Sequence, residues 1–493
     1  MLPLIETDVK SRWFAQRPVR RSELPTIMKK HIVTGALGSA WGNLITGIIF
    51  IYFGNAIGLT RFAWGVLTAI GSWSVVVQPL GTLLGERAGS RRLVWFWTSL
   101  TDRVLRMGGV LTAWLLWHAG RSEASLLFIV FLCLGPLIGN LSPGPWYGWF
   151  ATIIPKGVQG AFWGRRDSWI SLVVILVTLP SGLVMDIVPR ELKMETATAI
   201  LLAASVMGLA DLLIHRTIPE PPHEAAPTRG TLAATIVPLR DRAFRPWLVF
   251  TGAWNLSMSL GGTLSTLYMM ENLGFRNDLL GGMFSLTIVG LLATALAARR
   301  MGRMVDRFGI KRVLGVSHAL WSLVPAVWLL ALPGPSALLW IGLASVLGTV
   351  FSTAATNASV KLATRFPSGD DGGMYMAIST VVGSVAVGLG AFLAGAFLAA
   401  AAAWSTRIAG RLVTAFPALF IVSFLTRLLT VIFLLPRVRT TAGPSEEETP
   451  FLLPLFFEGV PGLSRRGRGG RPPVGRAAAS RPRRTGRLAP PRL

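Results

Sequence analysis

Three charges set inside an apolar run, Asp102, Arg103 and Arg106 of WTSLTDRVLRMGG, have the types and spacing to do chemistry. A carboxylate and a guanidinium four positions apart share one face of a helix and can neutralise each other. Entering the run near Leu93 and rising ~1.5 Å per residue, Asp102 lies roughly 13 Å deep. Ionisable groups at that depth mark either an ion or anionic-solute pathway or a structural ion pair, and both readings stay open. Arg427 in FLTRLLTV is a second cation within an apolar run. It is expected to meet an acid or to reach out to the edge of its run. Other chemistry finds little support. The five histidines form no HExxH and no nucleophile–His–acid set, and there is no P-loop. The lone Cys133, in LLFIVFLCLGPL, can build neither a disulfide nor a Cys/His metal site. No enzyme, cofactor, metal or ATP-driven pump is expected.

The elements that carry these charges follow from composition. The 493 residues are 52% hydrophobic and only 14% charged, too little polar surface for a soluble protein of this size. Apolar stretches of about 20 residues, enough to cross a bilayer, recur throughout. Twelve are expected, near 33–53, 62–84, 93–118, 124–146, 168–188, 196–214, 246–270, 279–298, 313–333, 336–359, 374–402 and 412–435. A chain that crosses lipid this often satisfies its backbone within each span, so the fold class is an all-α polytopic membrane protein. With both termini cytoplasmic, the inside segments collect most of the 48 lysines and arginines. The expected organisation is a tail (1–30), a six-helix half (31–215), a linker (216–245), a second six-helix half (246–436) and a basic Pro/Gly/Arg-rich tail (437–493). The N-terminal stretch reads as a retained tail because it lacks the apolar core and cleavage site of a signal peptide. Tyr147, Trp146 and Trp149 read as part of an interfacial aromatic belt, and Asp211 as an interfacial residue at a span end.

A net charge of +25 raises the question of nucleic acid. Ten arginines and no acids fall between Arg465 and Arg492, in a composition that reads as disordered. Anionic lipid headgroups are the simpler partner, and no nucleic acid is expected.

Internal repetition organises the spans. Asn43 in AWGNL and Asn255 in AWNL stand 212 residues apart (255 − 43). Pro155, Gly157 and Gly160 match Pro367, Gly369 and Gly372 at the same offset. The charged turn GRMVDRFGIKRV, with Gly302, Asp306, Arg307, Gly309, Lys311 and Arg312, has a counterpart in GTLLGERAGSRR, with Glu86, Arg87, Gly89, Arg91 and Arg92. Gly309 is expected at positive φ, turning the chain between two helices. Asp306 is expected to pair with a base or to lie against a helix N-terminus.

The turn GRMVDRFGIKRV resembles the loop signature of the major facilitator superfamily, roughly G-x-x-x-D-(R/K)-x-G-x-(R/K)-(R/K). The first copy departs from it, with Glu86 in the acidic place and Thr82 where glycine is expected. The segments PWYGWFATIIPKGVQGAFWGRRD and FRPWLVFTGAWNLSMSLGG also resemble a bacterial branch whose substrates are mostly unassigned. The resemblance implies two pseudo-symmetric six-helix bundles that rock about a central cavity. The cavity candidates it implies are Trp41, Asn43, Gln78, Asn140, Trp254, Asn255 and Asn357, each with helix-to-helix bonding as the alternative. It implies transport of a small organic solute by a monomer in a bacterial cytoplasmic membrane. Asp306 and Arg307 would latch the outward-facing state, with Glu86 and Arg87 as the weaker copy. A proton is the expected driving ion and Asp102 its candidate carrier, with facilitated diffusion left open. The rival reading is a non-transporting membrane sensor or scaffold that acts through the basic tail.

Overall fold

A computed structural model of the chain describes residues 16–222, 233–262, 283–366, 372–401, 404–408 and 411–439, with isolated positions between 263 and 282. The helices before the linker are α1 (Leu24–Leu44), α2 (Ile48–Ala56), α3 (Arg61–Trp73), α4 (Gln78–Arg87), α5 (Arg91–His118), α6 (Glu123–Gly139), α7 (Pro143–Ile153), α8 (Gln159–Ile187) and α9 (Lys193–His215). The linker contributes α10 (Ala233–Arg240). After it come α11 (Arg245–Gly262), α12 (Met283–Phe308), α13 (Ile310–Ser322), α14 (Val324–Trp328), α15 (Pro335–Arg365), α16 (Gly372–Ala400) and α17 (Ala415–Phe433). A short antiparallel hairpin separates the last two, β1 (Ser405–Ile408) with β2 (Arg411–Thr414), Ser405 opposite Thr414. The composition had not announced this departure from an all-helical chain. The unit Pro450–Leu493 lies outside the described residues.

Seven of the expected spans are long and apolar enough to cross a membrane: Arg21–Ala56, Ala124–Ile153, Gln159–Ile187, Arg190–His215, Ser336–Arg365, Gly372–Leu398 and Ala415–Arg437. The other five fall short for visible reasons. Two are broken, where Pro79 and Pro325 start new helices, α4 and α14, within a run. The span of α5 carries Asp102, Arg103 and Arg106 in its middle. Those of α11 and α12 extend in part beyond the described residues. Large apolar side chains face outward, Leu296 at 82% and Ile187 at 80% exposure among them. Such a surface is at home in lipid. The chain is a multi-pass membrane protein.

The turns α4–α5 and α12–α13 lie at the end of the helices where the linker begins, here the linker end. Both turn on a glycine of positive φ, Gly309 at 84° as expected and its repeat counterpart Gly89 at 65°. Helices before and after the linker pack on each other at α8–α12 and at α16 against α4 and α7. At the first crossing the backbones nearly touch. A Cβ at Gly302 would lie 2.1 Å from the Gly160 carbonyl oxygen, and one at Gly164 would lie 2.2 Å from that of Ala298. At the second, a Cβ at Gly373 would lie 2.6 Å from the Gly144 carbonyl oxygen. Small residues let helices approach this closely where lipid gives no hydrophobic drive. Gly302→Val is therefore expected to force α8 and α12 apart. A chemical crosslink between cysteines at Ser168 and Arg299, whose hydroxyl and backbone N–H are bonded at 3.1 Å, should form in the parent and fall at least several-fold in the variant.

Candidate functional site

Two assemblies of charge stand out, one buried among α1, α5, α6, α8 and α9, the other at the linker end. In the first, Arg106 Nε donates to Asp102 Oδ1 at 2.7 Å, the pairing that the spacing anticipates. Arg103 donates to Asp211 Oδ2 at 2.5 Å, across from α5 to α9. Asp211 also faces His215, one turn on, with Oδ1 3.5 Å from Nδ1. The other ring nitrogen of His215 accepts from Trp146 Nε1 at 3.2 Å, which fixes the neutral tautomer with its proton on Nδ1, toward Asp211. Both guanidiniums lie over the Trp41 ring, Arg103 at 4.6 Å and Arg106 at 5.6 Å.

Glycines make the room. A Cβ at Gly38 would meet Asp211 Oδ2 at 2.7 Å, one at Gly139 the Asp102 carboxyl carbon at 2.7 Å, and one at Gly208 Trp41 at 2.8 Å. The charged side chains fill notches that any larger residue would close. Around them lies a partly open cavity of about 310 Å³, walled by Trp41, Trp95, Trp146 and Tyr147. Beneath it, His31 is wholly buried among Trp146, Phe150, Phe162 and Trp163, and neither ring nitrogen has a hydrogen-bond partner among the described residues.

At the linker end, the Asp306 carboxylate accepts the backbone N–H of Gly160 at 2.9 Å and of Ala161 at 2.6 Å, and pairs with Lys361. It thus caps the first turn of α8, where unsatisfied N–H groups and the helix dipole favour a carboxylate. Gln159 adds bonds to Thr364 at 3.4 Å and from Arg365 at 3.2 Å. The first-half copy of the turn behaves otherwise. Among the described residues, Glu86 pairs with Arg91 at 2.7 Å and Arg91 reaches the Gly148 carbonyl at 3.3 Å, bonds within helices before the linker. The N-terminus of α5 is capped instead by Glu220 of the linker, which accepts from Ser90 Oγ at 2.6 Å and from Arg91 N–H at 2.7 Å.

No known protein-family profile matches the sequence, and no curated protein is similar to it. Solved structures are similar in shape. The Escherichia coli fucose:proton symporter FucP superposes with a TM-score of 0.65 at 14% identity, over 85% of this chain and all of that one. The proton:xylose symporter XylE gives 0.59 at 16%, over 86% and 97%. A bacterial homologue of the iron transporter ferroportin, in an outward-facing state, gives 0.59 at 13%, over 85% and 99%. FucP is described as a major facilitator superfamily transporter.

The chain has the major facilitator fold.

Within this fold the amides and rings expected at a cavity are placed unevenly. Trp41 joins the buried cluster and lines its cavity. Gln78 and Asn140 bond each other at 3.2 Å, and Asn140 bonds Ser74 at 2.8 Å, so this pair ties α4 to the α6–α7 junction. Asn43 and Asn255 each donate to the carbonyl one turn back, Ser39 at 2.9 Å and Thr251 at 2.8 Å, so the repeat reproduces even this bond. Asn357 is buried on α15 beside Asp167. Trp254 packs on His318 and beneath Arg427. Arg427 itself meets no described acid and does not reach the edge. It is 4% exposed and donates to the Met258 carbonyl at 3.2 Å, its charge set over an indole.

Other expectations need correcting. Arg307, expected in the latch, is exposed and stacks on Phe308 at 5.0 Å, because the helix turns its side chain away from α8. Lys361 takes the basic role at Asp306. Lys311 ties the turn to the end of α17 by donating to the Pro436 carbonyl at 3.1 Å. Asp211, expected as an interfacial residue, is buried in an ion pair with Arg103. Trp149, taken for an interfacial ring, is 1% exposed and donates to the Pro219 carbonyl at 3.0 Å, because the linker folds back over it. Trp146 and Tyr147 wall the cavity. His31, His215 and Arg166 were not anticipated. A signal existed for them in the glycines of α1, Gly35 and Gly38, spaced to open one face of that helix.

Proposed function

We propose that the chain is a secondary active transporter that moves a small organic solute by alternating access. Its twelve helices would form two six-helix bundles, α1–α9 and α11–α17, with both termini and the linker end cytoplasmic. The observation that carries this reading is the clasp at Asp306. One carboxylate of α12 pairs with Lys361 of α15 and caps the first turn of α8 beside the glycine-lined α8–α12 crossing, which supports reading the linker end as shut. The clasp can part without unfolding either bundle, which is what a bistable element of this kind needs. A chain shut at its cytoplasmic end faces outward, the state in which the ferroportin homologue was solved. The solved neighbours FucP and XylE are proton symporters, which favours a proton as coupling ion here. Asp102 and Asp211, the carboxylates of the buried cluster, are the groups to carry it.

Uptake into proteoliposomes made from full-length protein and from protein ending at residue 439 tests this against the scaffold reading. Flux of a stabilising ligand that survives loss of residues 440–493, and that rises several-fold under an imposed proton gradient, is expected. Absence of flux for any ligand that stabilises the purified protein sinks the transporter.

A further inference from the structure

Of the three guanidiniums in the buried cluster, two are taken up by carboxylates and the third is not. Arg166, on α8, lines the same cavity, and no described residue accepts a hydrogen bond from it. Its nearest carboxylate, Asp167 Oδ1, stands 3.9 Å away, beyond hydrogen-bond distance. The guanidinium lies 5.5 Å from the ring centres of both Trp146 and Trp163. It occupies the space left by Gly35, where a Cβ would come within 2.6 Å of its Nε. A planar cation fixed against two indoles is held with its donors oriented, which a flexible lysine could not match. The hydroxyls of Ser39, Ser99, Ser142 and Tyr147 line the same space, and none of them bonds a described residue.

We propose, building on the transporter reading above, that this cavity binds a small aromatic monocarboxylate, with its carboxylate on Arg166 and its ring among Trp41, Trp95, Trp146 and Tyr147. A fork of N–H donors fits a carboxylate in two parallel bonds, about twice as strong as bonds to a neutral acceptor. A second negative charge would find no further open cation, because Asp102 and Asp211 already hold Arg106 and Arg103. At roughly 30 Å³ per water-sized group, 310 Å³ accepts about ten heavy atoms, a single ring and its acid. Four aromatic walls favour a flat ring over a hydroxylated sugar.

Calorimetric titration of the purified full chain with benzoate, phenylacetate and their neutral amides tests this. Binding of at least one acid is expected, with its amide at least tenfold weaker. Arg166→Gln should weaken the acid tenfold or more and leave the amide unmoved, while Arg166→Lys falls between. Acid and amide bound equally by the unaltered chain, or neither acid bound at millimolar concentration, overturns the proposal without recourse to any variant. Flux separates this from the transporter reading. An acid that binds through Arg166 but does not enter proteoliposomes supports the site and sinks transport. Transport of another solute that ignores both acids and Arg166→Gln does the reverse.

Discussion

Asp306→Asn should open the linker end. The carboxylate accepts two backbone N–H groups of α8 and faces Lys361, with side chains only 12% and 4% exposed. An asparagine oxygen keeps part of the cap and removes the negative charge that faces the Lys361 ammonium. Hydrogen bonds to charged groups are worth about 1.5–3 kcal/mol each, and stranding one partner of a buried pair costs about 3–5 kcal/mol. Even half of that sum, set against 1.4 kcal/mol per tenfold, moves the ratio of shut to open states by about a hundredfold. The measurement is the reaction rate of a cysteine at Thr364, itself 8% exposed within the clasp, with an impermeant maleimide in inside-out vesicles lacking Cys133. The rate should rise at least tenfold in Asp306→Asn and in Lys361→Gln. Arg307→Gln should leave it unchanged, since that side chain is exposed and stacked on Phe308. A rate that stays put in both of the first two variants removes the clasp from the mechanism.

What could be read in advance was whatever depends on spacing within one helix or one turn. The bond from Arg106 to Asp102 and the positive φ of Gly309 are local consequences of local residue order. Asp306 was legible as a cap or an ion-pair partner because a carboxylate beside a glycine turn has few other uses, and it is both. Its partners were not legible. Lys361 lies 55 positions on and Gly160 lies 146 back, distances that only the packing of α8, α12 and α15 brings to zero. Asp211 was misjudged for a related reason. Depth along its own helix put it near a membrane boundary, yet Arg103 of α5 pairs with it, Gly38 of α1 packs against it and His215 lies one turn on. Hydropathy reports one helix at a time, and a buried charge is settled by its neighbours. The broken spans show the same limit, since Pro79 and Pro325 begin new helices inside runs whose composition reads as continuous.

Arg103→Leu should be the most damaging single change to stability, and Asp211→Asn should repair it. The pair sits with side chains 9% and 7% exposed, at 2.5 Å. Removing the guanidinium leaves Asp211 facing only the neutral His215, whose Nδ1 proton points toward it at 3.5 Å while Nε2 accepts from Trp146. A carboxylate stranded this way costs about 3–5 kcal/mol, whereas replacing both charges by neutral groups of similar size is close to neutral. The leucine also gives up the contact with the Trp41 ring, a smaller loss of about 0.5–2 kcal/mol that the second substitution does not restore. Unfolding in mixed detergent should therefore show Arg103→Leu far below the parent, Asp211→Asn moderately below it, and the double variant above Arg103→Leu alone. The coupling reports what the pair is for. If the double variant recovers stability and also keeps solute flux and its proton dependence, the pair is structural and Asp102 is left as the proton carrier. If stability returns while proton-driven flux is lost and downhill flux persists, Asp211 carries the proton, with His215 one turn away to receive it. A double variant no more stable than Arg103→Leu would mean that the two side chains are not energetically coupled, whatever their distance.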